Sequence, residues 1–307
     1  MYDIIVIGAG PAGLTAAIYA RRSNKSVLVL EAISYGGQLV NILDIENYPG
    51  YEHINGVDLA SKLYDQAINL GSKIVFERVI DIKVNGKEKE IITSKNSYKC
   101  KSVIIATGSE NRKLGLDNES KLIGKGVSYC ATCDGNFYKN KVVAVVGGGK
   151  VAMDDAMYLS NIASLVYLIH SGKTFKDDDG VLSLLEKKDN IRIMYESNVT
   201  KLNAKDKLDS IEVTDNKGKI QVIDVSGLFI AIGRIPENEN FRKLIELNEK
   251  GYIVTTENCH TNVAGIFAAG DNRVKMLRQV VTATSDGAIA AVESIKYINR
   301  EWRNKNV

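Results

Sequence analysis

The chain has 307 residues, of which 45% are hydrophobic and 25% are charged, a composition typical of a globular protein of about two domains. Its net charge is +3, and the lysines are spread among acidic residues, so no basic stripe indicates a nucleic-acid partner. No apolar run approaches the ~18 residues of a membrane helix, and no signal-like segment opens the chain. We therefore expect a cytoplasmic protein, in a compartment where thiols are kept reduced.

The first predicted elements are a strand over residues 2–7, the loop Gly8-Ala9-Gly10-Pro11-Ala12-Gly13, a helix, and a second strand that ends at Glu31. In such a loop the first glycine allows a tight turn, the second lets a pyrophosphate approach the backbone, and the third lets helix and strand pack closely. The helix N-terminus faces the phosphates, and Glu31 stands where an acid binds a ribose hydroxyl. This order predicts a dinucleotide site.

The same pattern returns later in the chain. A strand over 141–146 precedes the GxGxxA loop 147–152, which contains Gly147, Gly149 and Ala152, and a helix and a strand over 164–169 follow. Each copy continues into a β-rich stretch with a hairpin signal and closes with a buried strand that ends in glycine. We therefore predict an α/β protein of two Rossmann-like domains, each with a parallel sheet and an added β-meander.

The last part of the chain, from about residue 244, has no third glycine loop. It carries a strand that ends at Asp271 and an alanine-rich helix over 278–300. We assign this tail to the first unit, which otherwise lacks a terminal strand and helix. The predicted domains are 1–112 with 244–307, and an inserted domain, 113–243.

A CxxC motif, Cys130-Ala131-Thr132-Cys133, stands just ahead of the second glycine loop and is followed by Asp134. In a reducing compartment this spacing indicates redox or metal chemistry. A thiolate attacks a disulfide, and a second thiol three positions on resolves the mixed disulfide. We interpret Asp134 either as a general acid and base or as a helix-capping acid.

No metal site is expected, because a structural zinc site needs a second CxxC or nearby histidines. The other two cysteines, Cys100 and Cys259, are isolated in the sequence. We predict that both are buried and behave as small hydrophobic residues.

These motifs resemble those of the bacterial-type low-molecular-weight thioredoxin reductases, and the resemblance covers nearly the whole chain. The segments that carry it are Gly8–Gly13, Gly36–Leu39, Glu46–Gly50, Ala106–Gly108, Val127–Gly135, Ala231–Gly233, Gly270-Asp271 and Arg278-Gln279. Each segment alone is weak evidence, whereas the set is specific.

The resemblance implies a cofactor, a partner and roles for residues. FAD would lie in the first domain, on Gly8, Gly10, Ala12, Gly13, Glu31, Gly37, Gln38, Asn47, Thr107, Gly108, Asp271, Arg278 and Gln279. The inserted domain would rotate to exchange the partner of the flavin ring, Cys133 would face the flavin, and Cys130 would attack thioredoxin. Homodimers are the rule in this family.

The sequence departs from the family at the second glycine loop, which would bind NADPH. The family carries a His-Arg-Arg run and a further arginine that grip the 2′-phosphate. Here Ser171 and Gly172 replace the paired arginines, Lys176 replaces the third, and three aspartates follow. Three possibilities stay open: NADPH held by Lys173 and Lys176 as point charges, NADH, or no pyridine nucleotide, as in ferredoxin-dependent flavin thioredoxin reductases.

Three hypotheses of function follow from these residues. The first is a reductase that passes electrons from a donor through FAD and Cys130–Cys133 to thioredoxin. The second is an FAD-dependent oxidase that acts on a small dithiol, and the third is a non-catalytic, flavin-binding redox sensor. FAD binding alone does not distinguish them.

Overall fold

The computed structural model describes residues 1–175 and 180–302. The helices are α1 (Pro11–Arg22), α2 (Gly56–Asn69), α3 (Ala131–Asp134), α4 (Lys150–Ser160), α5 (Val181–Leu185) and α6 (Val280–Glu301). The strands are β1 (Tyr2–Ile7), β2 (Val27–Glu31), β3 (Lys73–Phe76), β4 (Val79–Asn85), β5 (Glu88–Thr93), β6 (Ser97–Ile105), β7 (Ser109–Asn111), β8 (Val127–Ser128), β9 (Val142–Val146), β10 (Leu165–Ile169), β11 (Ile191–Met194), β12 (Ser197–Ala204), β13 (Leu208–Asp215), β14 (Ile220–Asp224), β15 (Gly227–Ile230), β16 (Arg234–Pro236) and β17 (Ile266–Ala268).

The chain folds into two compact units. The first contains Met1–Glu110 and the chain from Ile235 onward, and the second contains Asn111–Arg234. The return to the first unit thus falls at 234/235, whereas the sequence pattern places it at 243/244. The physical reason is that Asn238 donates hydrogen bonds to the carbonyls of Gly251 and Asn272, which anchor this stretch within the first unit.

The first unit is built on a seven-stranded sheet of order β3-β2-β1-β6-β5-β4, in which β17 also pairs with β6. The strands β1, β2, β3, β6 and β17 pair in parallel. The meander β4-β5-β6 is antiparallel and turns through Gly86, which has a φ of +62°. The tail of the chain therefore supplies a strand to this sheet.

Both faces of this sheet are covered, as expected for apolar parallel strands. Ile4 and Val6 of β1 are fully buried in the cluster that contains residues of α1 and α6, and Ile5 is fully buried on the other side. A Cβ on Gly287 of α6 would stand 2.1 Å from the Ala12 carbonyl oxygen of α1. Glycine at this position therefore permits the two helices to pack at backbone distance.

The second unit has a five-stranded parallel sheet of order β11-β10-β9-β15-β8 and a separate antiparallel meander, β12-β13-β14. One face of the sheet packs on α4, through residues such as Met153, and the other packs on the meander, through residues such as Ile211. The predicted α/β fold with parallel sheets and added meanders is confirmed. Within the described ranges, the helices are too short or too polar to cross a membrane.

Candidate active site

The first glycine loop joins β1 to α1 in a backbone conformation that needs glycine. Gly8 has a φ of +105°, and a Cβ there would lie 2.3 Å from the Ala106 carbonyl oxygen. Gly13 is equally confined, because its Cβ would lie 1.9 Å from the Gly8 carbonyl oxygen. The loop is thus held against the start of the helix, as the sequence pattern predicts.

Gly10 differs from these two because it faces open space. Apart from its chain neighbours, the only described atom within 4 Å of a Cβ on Gly10 would be the Gly37 Cα, at 3.9 Å. Gly10 is also the N-cap of α1, and no described side chain caps it. The amide groups of Ala12 and Gly13 in the first helical turn therefore remain available to an anion, so the residues fit a pyrophosphate.

Glu31 is fixed at the end of β2 by two backbone amide groups, one from the first glycine loop and one from its own loop. Its carboxylate accepts hydrogen bonds from the amide groups of Ala9, at 2.8 Å, and Ile33, at 3.0 Å. A carboxylate has about four acceptor positions, so acceptor capacity remains. Glu31 and Thr107 line a cleft of about 240 Å³ in the first unit, which suits a ribose hydroxyl.

The segment before α6 brings four other predicted residues together. Arg278 donates to the carbonyl oxygen of Asp271, at 3.4 Å, and lies 4.2 Å above the Tyr252 ring. Gln279 caps α6 and accepts a hydrogen bond from Asn47 at 3.2 Å. Gln38 lies elsewhere, exposed on a short 3₁₀ helix that begins at Gly37.

Two asparagines that the sequence pattern did not reveal hold Thr107 in place. Asn238 and Asn272 are fully buried. Asn272 donates to the carbonyl of Ile105, at 3.0 Å, and to the Thr107 hydroxyl, at 3.1 Å. The two asparagines thus join the segment just before Gly108 to two parts of the chain that are distant in the sequence. Their positions in the sequence follow no periodic pattern, so no pattern predicts them.

A buried ion cluster, also absent from the sequence analysis, ties the residues around Asp271 to α6. Asp286 accepts hydrogen bonds from the Gly270 amide, at 3.0 Å, from two nitrogens of Arg273, both at 2.8 Å, and from Lys275, at 2.7 Å. Burial alone would raise the pKa of Asp286, but Arg273 and Lys275 outweigh it and lower the pKa. We call Asp286, Arg273 and Lys275 the ion cluster.

The cysteines of the CxxC motif are joined in a disulfide. Cys130 precedes α3, Cys133 lies within it, and their Cα atoms are 5.3 Å apart. The other two cysteines, Cys100 and Cys259, are fully buried, and burial raises their pKa values to about 12 and about 11. Only the CxxC pair is therefore suited to thiolate chemistry.

Asp134 lies beside this disulfide and is held by Ser128, at the end of β8. The Ser128 hydroxyl donates to Asp134 Oδ2 at 2.6 Å and accepts the Cys130 amide at 3.0 Å. Burial raises the pKa of Asp134, and the hydrogen bond from Ser128 opposes that rise. Burial and the Asp134 charge also raise the pKa of Tyr138 to about 12. Sequence reasoning singled out Asp134 but not Ser128.

The second glycine loop lies next to the predicted nucleotide residues. No described atom would meet a Cβ on Gly149, whereas one on Gly148 would stand 2.1 Å from the His170 ring. Ala152, the last residue of the motif, is fully buried on α4. A Cβ on Gly147 would lie 2.4 Å from the Ala231 carbonyl oxygen. The loop is thus tightly packed except at Gly149.

The segment after β10 is occupied by its own side chains. The His170 ring donates from Nε2 to the Thr174 carbonyl at 2.9 Å and stacks on Phe175 with ring centroids 4.6 Å apart. A Cβ on Gly172 would lie 2.6 Å from this ring. Lys173 is exposed, with its ammonium 3.8 Å from the carboxylate of Glu196. Lys176 lies outside the described residues.

One group of metal-type side chains occurs in the described ranges, although the sequence analysis expects no metal. Asp44, Glu46 and His53 place one ligand atom each within 4.8 Å of one another. His53 lies 3.0 Å from Asp44, and this hydrogen bond raises its pKa. We interpret the group as an exposed ion pair of the protein surface.

Comparisons with known proteins agree with this arrangement. Residues 2–287 match the family described as pyridine nucleotide-disulphide oxidoreductase. The chain is 40% identical over 301 residues to a thioredoxin reductase of Listeria innocua (97% of this chain, 94% of the relative) and 41% identical over 300 residues to one of Treponema pallidum (97% of each). The crystal structure of thioredoxin reductase from Streptococcus pyogenes matches with a TM-score of 0.93 and 37% identity, covering 98% of this chain and 99% of that one.

The chain therefore belongs to the pyridine nucleotide-disulphide oxidoreductase family. Within it, the chain is of the bacterial, low-molecular-weight thioredoxin reductase type, a flavoprotein disulfide oxidoreductase whose cofactor is FAD. The resemblance stated from the sequence motifs is confirmed.

Proposed function

We propose that the protein passes electrons from a donor through FAD to the Cys130–Cys133 disulfide, and from there to oxidised thioredoxin. The observation that carries the proposal is the disulfide at the start of α3, with the half-buried carboxyl group of Asp134 beside it. The similarity to thioredoxin reductases over nearly the whole chain supports the choice of substrate. We also propose that the protein works as a homodimer, as the family resemblance implies.

When bound in the first unit, FAD would supply the redox chemistry between the electron donor and the disulfide. For its pyrophosphate we propose the uncapped start of α1, with Gly10 and Gly37 leaving space for its approach. Glu31 would accept a ribose hydroxyl. The proposed contacts to the rest of the cofactor are made by Ala12, Gly13, Gln38, Asn47, Thr107, Gly108, Asp271, Arg278 and Gln279.

Replacing Gly10 by alanine tests this placement. A Cβ at Gly10 meets only the Gly37 Cα, at 3.9 Å, so the apoprotein keeps its fold while the pyrophosphate loses its closest approach. We expect FAD affinity to fall at least about tenfold, the equivalent of 1.4 kcal/mol. The bound FAD per chain, measured by absorbance, and the circular dichroism of the apoprotein provide the two readouts.

Gly149→Ala is the matched control. It adds the same methyl group at the equivalent, open position of the second loop, where no described atom lies within 4 Å. The bound FAD should then equal that of the unchanged protein. Full FAD occupancy in the Gly10→Ala variant would contradict the proposed pyrophosphate site.

The thiol chemistry uses the reduced pair and Asp134. The Cys130 thiolate attacks the thioredoxin disulfide, a mixed disulfide forms, and the displaced thioredoxin thiolate takes a proton from Asp134. The Cys133 thiolate then attacks the Cys130 sulfur, which restores the Cys130–Cys133 disulfide and releases the second thioredoxin sulfur as a thiolate that solvent protonates. Two electrons leave the cysteine pair and two sulfurs of thioredoxin are reduced.

For the electron donor we propose ferredoxin or NADH rather than NADPH. Ser171 and Gly172 supply no cation for a 2′-phosphate, and the His170 ring fills the space beside Gly172. The ammonium of Lys173 faces the carboxylate of Glu196. Among the described residues of this segment, an anionic 2′-phosphate would thus meet one lysine, already accompanied by an acid, in place of a bidentate arginine pair.

Anaerobic bleaching of the flavin absorbance tests the donor. We expect reduced ferredoxin or NADH to bleach the flavin rapidly and NADPH to do so at least about tenfold more slowly. Ser171→Arg, at an exposed position, should accelerate bleaching by NADPH alone if the second loop still binds nucleotides. NADPH as the fastest donor of the unchanged protein would contradict this part of the proposal.

A further inference from the structure

The hydroxyl group of Ser128 is placed between the CxxC motif and its acid. Its Oγ lies 3.0 Å from the Cys130 amide nitrogen, 2.6 Å from Asp134 Oδ2 and 3.3 Å from the Cys130 carbonyl oxygen. Ser128 is 3% exposed, so water does not readily replace these contacts. A single buried hydroxyl thus connects the backbone of the attacking cysteine to the carboxyl group of Asp134.

The direction of these hydrogen bonds follows from the groups themselves. A backbone N–H only donates, so Ser128 Oγ accepts from Cys130. The hydroxyl has one proton, and Asp134 Oδ2 is the nearer of its two acceptors. A separation of 2.6 Å is typical of a hydroxyl that donates to a carboxylate. Oδ2 is therefore occupied as an acceptor by Ser128.

We propose that Ser128 is a positioning residue for Asp134, because it keeps Oδ2 as an acceptor and so holds the transferable proton on Oδ1. This inference rests on the proposed function, in which Asp134 protonates the leaving thiolate of thioredoxin. In that step the O–H bond at Oδ1 breaks, the proton joins the thioredoxin sulfur, and Asp134 becomes a carboxylate. Ser128 donates to Oδ2 before and after the transfer, so the acid stays aligned with Cys130 throughout.

Other ionisable groups lie on the elements around Asp134. Tyr138 follows α3, and Lys141 places its ammonium 5.7 Å from the Tyr138 ring. The helix α4 packs against α3 and carries Asp155. Burial, and after it the charge of Asp154, raises the pKa of Asp155 to about 7. Because Asp155 titrates near neutral pH, the test must separate its effect from that of Asp134.

The test is the pH dependence of a single turnover. Enzyme reduced with dithionite without oxygen is mixed with oxidised thioredoxin, and thioredoxin thiols are counted in quenched samples. A general acid makes the rate fall as pH rises through its pKa. A hydrogen bond to the charged form lowers a pKa, so Ser128→Ala should move this fall about one pH unit upward. Ser128→Thr keeps the hydroxyl and should leave it unmoved.

A second substrate isolates the role of the acid. The disulfide 5,5′-dithiobis(2-nitrobenzoic acid) releases a thiolate of low pKa, which leaves without protonation. The profile of Ser128→Ala with this substrate should match that of the unchanged protein. The contrary result, with thioredoxin as substrate, is that Ser128→Ala lowers the rate equally at every pH and the fall of the rate stays at the same pH. Ser128 would then have only a structural role, and the inference would be overturned.

Two variants distinguish the inference from the function on which it rests. Asp134→Asn should abolish the fall with pH, and its persistence would overturn the role of Asp134 itself. Asp155→Asn should still show the fall of the rate with rising pH. If the fall disappears in this variant, the pH dependence belongs to Asp155 and the inference is overturned. Bound flavin in each variant, measured by absorbance, shows that the enzyme tested is intact.

Discussion

Replacing Cys133 by serine is expected to leave an enzyme that binds FAD and accepts electrons but does not reduce thioredoxin. In the proposed electron path, the Cys130–Cys133 disulfide accepts electrons from the flavin and passes them to the substrate. Serine forms no disulfide. The remaining thiol of Cys130 has no partner to resolve a mixed disulfide. Because the two sulfurs act as one unit, we expect a loss on the order of 10³-fold or more in thioredoxin turnover.

The measurement is steady-state formation of thioredoxin thiols, with anaerobic bleaching of the flavin recorded on the same preparation. Cys259→Ala is the matched control, since Cys259 is fully buried and burial raises its pKa to about 11. It should retain turnover. Thioredoxin reduction by Cys133→Ser at the unchanged rate would remove the disulfide from the electron path.

The second large effect is expected in the ion cluster. Asp286→Asn keeps the size of the side chain but removes the charge that faces Arg273 and Lys275, both largely buried. Removing one partner of a buried ion pair costs about 3–5 kcal/mol, because the remaining charges lose their compensation. The Gly270 amide also loses a charged acceptor, so the segment before Asp271 should loosen and FAD occupancy should fall.

Urea unfolding of the apoprotein at neutral pH measures this loss of stability. Glu239→Gln is the control, because the Glu239–Arg242 pair is exposed and such pairs contribute at most about 1 kcal/mol. The lowered pKa of Asp286 means that its contribution is present above the ordinary value of 3.8 and is lost as pH falls through the folded-state pKa. The variant and the unchanged protein should therefore converge in acid, and equal stability at neutral pH would contradict the account.

The local elements were predictable because they depend on residues close in the sequence. The apolar run before Gly8 and the Pro11 that opens α1 specify a strand, a turn and a helix within one short segment. The predicted strand over 164–169 and the helix over 278–300 lie within a few residues of β10 and α6. The glycine positions follow from the same local geometry, since Gly8 and Gly13 admit no Cβ.

The remaining features depend on contacts between distant residues. Thr107 and Asn272 are 165 positions apart, and polar side chains paired over such a span leave no periodic pattern. The chain returns to the first unit at 234/235, and the sequence pattern places this boundary nine residues later. The reason is that the sequence pattern does not predict the hydrogen bonds of Asn238. The role of Ser128 is not predictable from the sequence for a related reason, because it depends on the position of β8, which brings the Ser128 hydroxyl to Asp134.

The central claim is that electrons move from the flavin through Cys130–Cys133 to thioredoxin, and a single anaerobic experiment tests it most directly. Enzyme reduced by four electrons per chain, with two in the flavin and two in the cysteine pair, is mixed with excess oxidised thioredoxin. The account predicts recovery of the flavin absorbance together with four thioredoxin thiols per flavin. A flavin that stays bleached until oxygen is admitted, with no thioredoxin thiols formed, would contradict it and favour the dithiol oxidase or the redox sensor.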